Sequence, residues 1–386
     1  MKYLRLVSCF FLMLVSCKKV GENSETIEKT TQVEKTIPIE SYLIGTYTDS
    51  LSQGIALLSF DVANQELKLN HIIDSLPNPS FVIANKAKSI IATVGEIQGE
   101  KGGLITTFSY DKENKTFTKM STVNTLGNDP CTLAFSPKED AILVGNYSGG
   151  NLSVFPINEK GEVLDTPQTI QHTGNSITKE RQEKPHVHSI VLHPTEKLIF
   201  VADLGNDTID MIPFTDEGSF QLVPEKTVSI KTPLGSGPRH ILFDKNGKQL
   251  YVVFELTNEV GVYQFKENTL VLQEVVPLTD TKTNLGSAAE LKLSSDNAFL
   301  YVSVRGEENK LVVFTTNEGN HLEKIQSIAT GLKPRNFKLS ETEDFVLVAN
   351  QESNTIVVYK RDKKTGLLTK TPSEITINKP VYFCSF

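Results

Sequence analysis

The sequence predicts an all-β protein, a seven-bladed β-propeller whose ring is closed by joining N- and C-terminal strands. Three observations predict it. A Pro followed by a short apolar run recurs at steps of roughly 50 residues, the length of one propeller blade. Each step holds three or four short runs rich in β-branched and aromatic residues, separated by turn residues. Each end of the chain carries an incomplete unit, and the two pieces complement one another.

The recurring run starts at Pro79 (PSFVIA), Pro130 (PCTLAFSP), Pro185 (PHVHSIVLHP), Pro238 (PRHILFD) and Pro334 (PRNFKLS), with Ala288-Ala289-Glu290-Leu291 in the same place in its unit. A polar turn follows, such as Asp244-Lys245-Asn246-Gly247. A second run comes next (AILVGN, LIFVAD, LYVVFE, LYVSVR, FVLVAN), then a Gly- and Asn-rich turn and a third run (LSVFPI, IDMIPF, VGVYQF, LVVFTT, IVVYKR). A weaker fourth run closes each unit. Six units fill residues 79–379. Residues 42–78 supply three runs and lack the first, whereas 380–386 (PVYFCSF) have the form of a first run alone. Joined, they make a seventh blade and leave no open sheet edge.

The N-terminus reads as an address. Residues 1–17 carry Lys2 and Arg5 ahead of an apolar stretch from Leu6 to Val15, too short to span a bilayer but of signal-peptide length. Leu14-Val15-Ser16-Cys17 resembles a bacterial lipobox, which makes Cys17 the expected lipidation site. Residues 18–40, rich in Lys, Glu and Thr, read as a flexible tether. The expected organisation is therefore signal peptide 1–17, tether 18–40 and propeller 41–386. The expected location is the bacterial cell envelope, on the periplasmic side or at the outer membrane, with membrane contact through the lipid alone.

Composition narrows the function. With 39% hydrophobic and 22% charged residues the chain has an ordinary globular balance, and its net charge of −7 argues against a nucleic-acid partner. No Cys stands in a C-x-x-C pair. Cys131 and Cys384, both in apolar runs, are expected as buried free thiols. No G-x-S-x-G, P-loop or H-E-x-x-H pattern occurs, which lowers the serine hydrolase, nucleotide hydrolase and zincin readings.

The start of a first strand and the end of a second lie at the same face of the ring, because the two are antiparallel neighbours. That places His186, His188, Arg239, His240, Glu290 and Arg335 (strand-one starts) with Asn146, Asp203, Glu255, Arg305 and Asn350 (strand-two ends) at one mouth of the channel. Ionisable groups crowded in a concavity suit a polar, anionic small molecule. Each has a plainer reading. Arg239 and Glu255 can brace one blade, His193 and His240 can satisfy turns, and the Asn residues can support left-handed turn geometry. His186 and His188 share a strand face but have no evident third ligand, so no metal and no cofactor are called for.

At these positions the chain resembles the lactonase family of seven-bladed propellers, which includes 6-phosphogluconolactonases and fungal carboxy-muconate lactonising enzymes. The matching motifs are Gly45-Thr46-Tyr47-Thr48, Gly145-Asn146-Tyr147-Ser148-Gly149-Gly150, Pro185-His186-Val187-His188-Ser189, Gly237-Pro238-Arg239-His240, Ser287-Ala288-Ala289-Glu290 and Pro334-Arg335-Asn336-Phe337. The resemblance implies a site of one His, two Arg and one Glu. These match His188, Arg239, Glu255 and, best, Arg305, with Arg335 the other candidate for the second Arg; from their place at the mouth, His186, Asn146, Glu290 and Arg335 are expected as substrate contacts. It implies hydrolysis of an anionic, sugar-type lactone by water, with Glu255 or His188 as the base. Two other functions remain open: an isomerase or lyase acting on a carboxylated lactone, and a non-enzymatic envelope propeller that binds a ligand or partner. Phe254 and Val304 stand where relatives commonly carry Asn.

Overall fold

Seven antiparallel sheets account for nearly all of the regular structure in the computed structural model, which describes residues 39–49, 54–73, 76–164, 166–280, 286–316 and 321–386. The expected signal peptide and nearly all of the tether lie outside these residues. Blades 1 to 6 span 82–124, 130–171, 187–231, 238–277, 288–329 and 334–376. Blade 7 is the predicted composite. Its inner strand is Pro380–Ser385, followed by Ile39–Thr46, Ile55–Asp61 and Glu66–Ile73. The first N-terminal strand begins at Ile39, two residues ahead of the expected boundary, because Ile39 pairs with Asp61 and Glu40 is buried. Blade 3 carries an extra two-stranded pairing, Gln221–Leu222 against the end of Thr208–Thr215.

The second strand of each blade is buried on both faces, which is why it reads as an unbroken apolar run. Side chains alternate faces along a strand. In Phe345–Asn350, Phe345, Leu347 and Ala349 pack toward blade 7, while Val346 and Val348 pack toward blade 5. Seven apolar clusters result, one at each junction between neighbouring blades. The junction of blades 7 and 1 is built like the others, with Leu43 and Ile55 against Val82 and Ile91, so the ring closes through packing as well as through pairing. The fourth strands face solvent on one side and alternate accordingly, as in Leu368–Thr376.

The inner strands share one irregularity. In blades 2, 3, 4, 6 and 7 the pairing with the second strand slips at the second residue, so that Cys131, His188, Arg239, Arg335 and Val381 bulge out of register. A bulge re-aims the side chain that it carries. None of these five side chains belongs to an inter-blade cluster; all five line the channel instead.

Candidate active site

Two sets of positions converge on one mouth of the channel. The bulges supply Cys131, His188, Arg239 and Arg335. The residue just past a second strand supplies Tyr47, Glu96, Tyr147, Glu255 and Arg305. Together with Arg181 they wall a cavity of about 310 Å³. A larger cleft of about 400 Å³ between 99–102 and 126–128 is lined mainly by glycines and amides, with the exposed Glu100 and Lys101 as its charged groups, and shows no comparable convergence of ionisable groups.

Glu255 is the hub of the cavity. Its Oε2 accepts from Arg239 Nε at 2.6 Å and lies 3.3 Å from Arg305 Nη2, and its Oε1 accepts from Arg181 Nη2 at 2.7 Å. Burial alone would push this carboxyl up. Arg305, Arg239 and Arg181 outweigh burial and hold it at about 2. The brace reading of Arg239 and Glu255 is thus correct as geometry, and the pair also stands in the cavity wall. Arg239 is 2% exposed and gives a further hydrogen bond to Ala289 O at 2.6 Å. Burial, with Arg239 and Arg335 nearby, draws Arg305 down to about 9 against the pull of Glu255, which leaves it protonated at neutral pH.

Arg335 is placed differently. Its guanidinium lies over the Tyr47 ring, 5.3 Å from the centroid, and has no carboxylate partner within ion-pair distance among the described residues. Glu96, which lines the cavity with it, is occupied by Tyr47 Oη at 2.8 Å and by the Ser80 hydroxyl. Burial raises the Glu96 carboxyl.

His188 stands edge-on to Tyr147 and to His240, with ring centroids 5.5 and 5.2 Å apart. Its Nδ1 is buried with no hydrogen-bond partner. Burial, reinforced by Arg239, His240 and Arg335, holds its pKa well below the usual histidine range. The imidazole is therefore neutral at physiological pH. The Cys131 thiol, raised by burial, is neutral too. Cys131 and Cys384 are both free, with Cys384 only partly buried.

Several residues expected at the mouth stand outside the cavity. His186 precedes the inner strand and lies flat against the far side of Tyr147, centroids 4.4 Å apart, with Nδ1 on Tyr147 O and Nε2 3.4 Å from Glu183. Asn146, Asp203 and Asn350 are the last residues of their second strands, fully buried between blades. Period-two alternation makes the next residue the one that faces the channel. Asp203 is structural: its carboxylate accepts from the backbone N–H of His186, Gly205 and Asn206 and pairs with His172. Glu290 sits one layer below the cavity, bound by His240 Nδ1 at 3.1 Å, Lys292 at 3.3 Å and the Asn336 amide, and His240 in turn meets Arg239 at 3.2 Å. Burial works against the Glu290 charge, but Lys292 and His240 hold it at about 2. His193 spans a turn and Gly247 O, as its plainer reading anticipated.

Sequence reasoning missed Tyr47, Glu96, Cys131, Tyr147 and Arg181. The positional rule that selected Glu255 and Arg305, applied to blades 7, 1 and 2, selects Tyr47, Glu96 and Tyr147. Arg181 lies on the connection between blades 2 and 3 and follows no such rule. Among the described residues, no group of three or more His, Cys, Asp or Glu side chains is arranged to hold a metal ion.

Comparison with known proteins agrees with this architecture. The family model described as "Lactonase, 7-bladed beta-propeller" matches residues 41–384. A curated relative from Formosa agariphila named 6-phosphogluconolactonase is 30% identical over 87% of this chain and 96% of its own length. One from Bacillus subtilis with the same name is 30% identical over 88% and 96%. A crystal structure of a protein from Bacteroides fragilis, described as a putative 6-phosphogluconolactonase, superposes with a TM-score of 0.84 at 29% identity, covering 91% of this chain and 98% of that one. A periplasmic gluconolactonase from Pseudomonas aeruginosa superposes with a TM-score of 0.81 at 28% identity over 90% and 98%. The chain therefore belongs to the lactonase family of seven-bladed β-propellers.

Proposed function

We propose that the protein hydrolyses a sugar-type lactone at this mouth, with 6-phosphogluconolactone as the model substrate. The observation that carries the reading is the pairing of a neutral, hydrogen-bond-poor His188 with an uncommitted Arg335 in one polar cavity. The donors of Arg335 are available to the carbonyl oxygen and gain strength as that oxygen becomes an oxyanion. His188 takes a proton from water as the water oxygen bonds to the carbonyl carbon. The resulting imidazolium, close to Arg239, is a strong acid. It returns the proton to the ring oxygen as the C–O bond breaks, and the product is the open hydroxy acid. Such a base is worth about 10²–10⁴ in rate.

Glu255 takes a different role from the one that the family resemblance left open. Both oxygens of Glu255 are occupied by guanidinium donors, so neither is free to take a proton from water, whereas His188 has a ring nitrogen without a partner. The part of Glu255 is to fix Arg239, Arg305 and Arg181 in place against their mutual repulsion.

The test is a panel assay of the purified protein by pH-stat with 6-phosphogluconolactone, gluconolactone and a carboxylated muconolactone. Ring opening well above the uncatalysed rate on at least one is expected. No acceleration on any of them would refute the reading and favour a binding propeller; rearrangement without water uptake would favour the isomerase or lyase.

A further inference from the structure

Arg181 is unlike the other arginines of the cavity. Arg239 and Arg335 come from inner strands and Arg305 from a strand end, whereas Arg181 comes from the long connection between blades 2 and 3. Its side chain is 36% exposed, against 2% for Arg239 and 12% for Arg305. The segment that carries it is nonetheless firmly built. Gln182, fully buried, donates to Leu204 O at 2.9 Å and to Asp207 at 2.7 Å, while Gln182 N and Arg181 N bond Thr178 O. The two ends of the connection, His172 and His186, are both held by Asp203. Gly205 meets this segment so closely that a Cβ there would lie 1.9 Å from Lys184 O. The backbone is thus fixed, and the guanidinium projects over the cavity to Glu255 and, at 3.4 Å, to Tyr147 Oη.

Arg181 and Tyr147 also line a second cavity of about 340 Å³, with Lys184, His186, Glu180 and Glu183. They form the partition between the two spaces and can be reached from either side. The inner cavity, meanwhile, carries four guanidinium groups against the two carboxylates of Glu255 and Glu96, and burial favours the neutral form of Glu96. Buried charge of one sign calls for a counter-charge. A neutral lactone leaves the excess uncompensated; an anionic one neutralises it.

We propose that Arg181 is the specificity-determining residue of the site. In this inference, which rests on the lactone-hydrolase reading, Arg181 takes up the anionic substituent of the substrate, a phosphoryl or carboxylate group, at the partition between the two cavities. Arg181 is the most exposed of the three arginines that pair with Glu255, so an anionic substituent can add to its guanidinium from the side of the second cavity without displacing the buried carboxylate. Below it, Arg239 and Arg305 are committed to Glu255 Oε2, and Arg335 serves the carbonyl oxygen in the proposed reaction.

The experiment compares the unmutated protein with Arg181→Ala and Arg181→Lys. Values of kcat and KM are measured on phosphorylated, carboxylated and neutral lactones, alongside thermal stability. Arg181→Ala should lower kcat/KM about 10²-fold more on the anionic lactone that the site takes than on the neutral lactone, mainly through KM. Arg181→Lys should recover part of the loss, since it keeps the charge and loses the planar fork. The anionic arm that shows the loss identifies the group. Equal losses on all three lactones would make Arg181 a brace for Glu255 and overturn the proposal, as would unchanged selectivity. Calorimetric binding of 6-phosphogluconate keeps the two claims apart. If the unmutated protein opens no lactone, the hydrolase reading fails. The role of Arg181 as the anion contact then stands if Arg181→Ala weakens binding about 10²-fold, and falls if binding is unchanged.

Discussion

Replacing Glu255 with Gln tests how the site holds its charge. The substitution keeps the shape and removes one negative charge from among Arg239, Arg305 and Arg181. It also places an amide N–H₂ against guanidinium donors, so at least one contact turns from attraction to repulsion. The magnitude follows from the carboxyl, which is held at about 2 against an ordinary 4.5. A folded-state value below the unfolded one means that the ionised group stabilises the native state. That stabilisation is complete above the unfolded value and fades as the pH falls toward the folded one. At about 1.4 kcal/mol per pH unit, the charge contributes about 3 kcal/mol at pH 7 and about 1 kcal/mol at pH 3. For a domain of about 350 residues, 3 kcal/mol corresponds to about 4 °C in Tm. Thermal melts of both proteins at pH 7 and pH 3 are the assay. Glu255→Gln should melt several degrees lower at pH 7, with a gap two- to three-fold smaller at pH 3. Equal melting at pH 7, or a gap that widens in acid, would refute the electrostatic account.

Three further outcomes are expected. His188→Gln should lower kcat/KM on the best lactone by about 10²-fold or more while the protein stays folded, and the acid limb of the unmutated enzyme should fall below pH 6.5, because His188 stays unprotonated until well under its ordinary value; a limb at or above pH 6.5 would remove it as the base. Deleting residues 380–386 should destabilise the ring by about 5 kcal/mol, from the lost burial of Val381 and Phe383 and of the half-buried Tyr382, and a truncated protein that melts with the full chain would speak against closure through blade 7. Cys17→Ser should release the protein from membranes into the soluble fraction, and continued sedimentation after a high-salt wash would dismiss the lipobox.

The ring was legible in the sequence because its signal is repetitive and local. Each second strand is buried on both faces and writes an apolar run, and the surplus first strand at Pro380 pairs, among the described residues, with Ile39–Thr46. The site was legible less evenly. Glu255 and Arg305 were found at the ends of runs, but Asn146, Asp203 and Asn350 are one residue short of the same position. In a period-two element that single step separates the channel from the blade interface. The bulges that aim Cys131, His188, Arg239 and Arg335 leave no composition signal, since the slip is a property of pairing between strands. Arg181 depends on how Asp203 and Asp207 gather a connection more than ten residues long. The role of Glu255 could not be assigned from residue type, because a carboxylate is a base or a clamp according to how many cations surround it.

The bulges separate two demands that most folds place on the same side chain. A residue out of register belongs to none of the clusters that hold blades together, so exchanging it changes what the mouth presents without reopening the packing on either side. Val381 is apolar at such a position, and Ala289 lies within the corresponding irregular stretch of blade 5, while His188, Arg239 and Arg335 carry the chemistry. Descent from a common ring can therefore trade one reaction for another through a handful of substitutions that leave the blade junctions intact. The scaffold exposes its chemistry to selection while shielding its apolar packing from the same changes, so that only the charge balance of the mouth has to be restored.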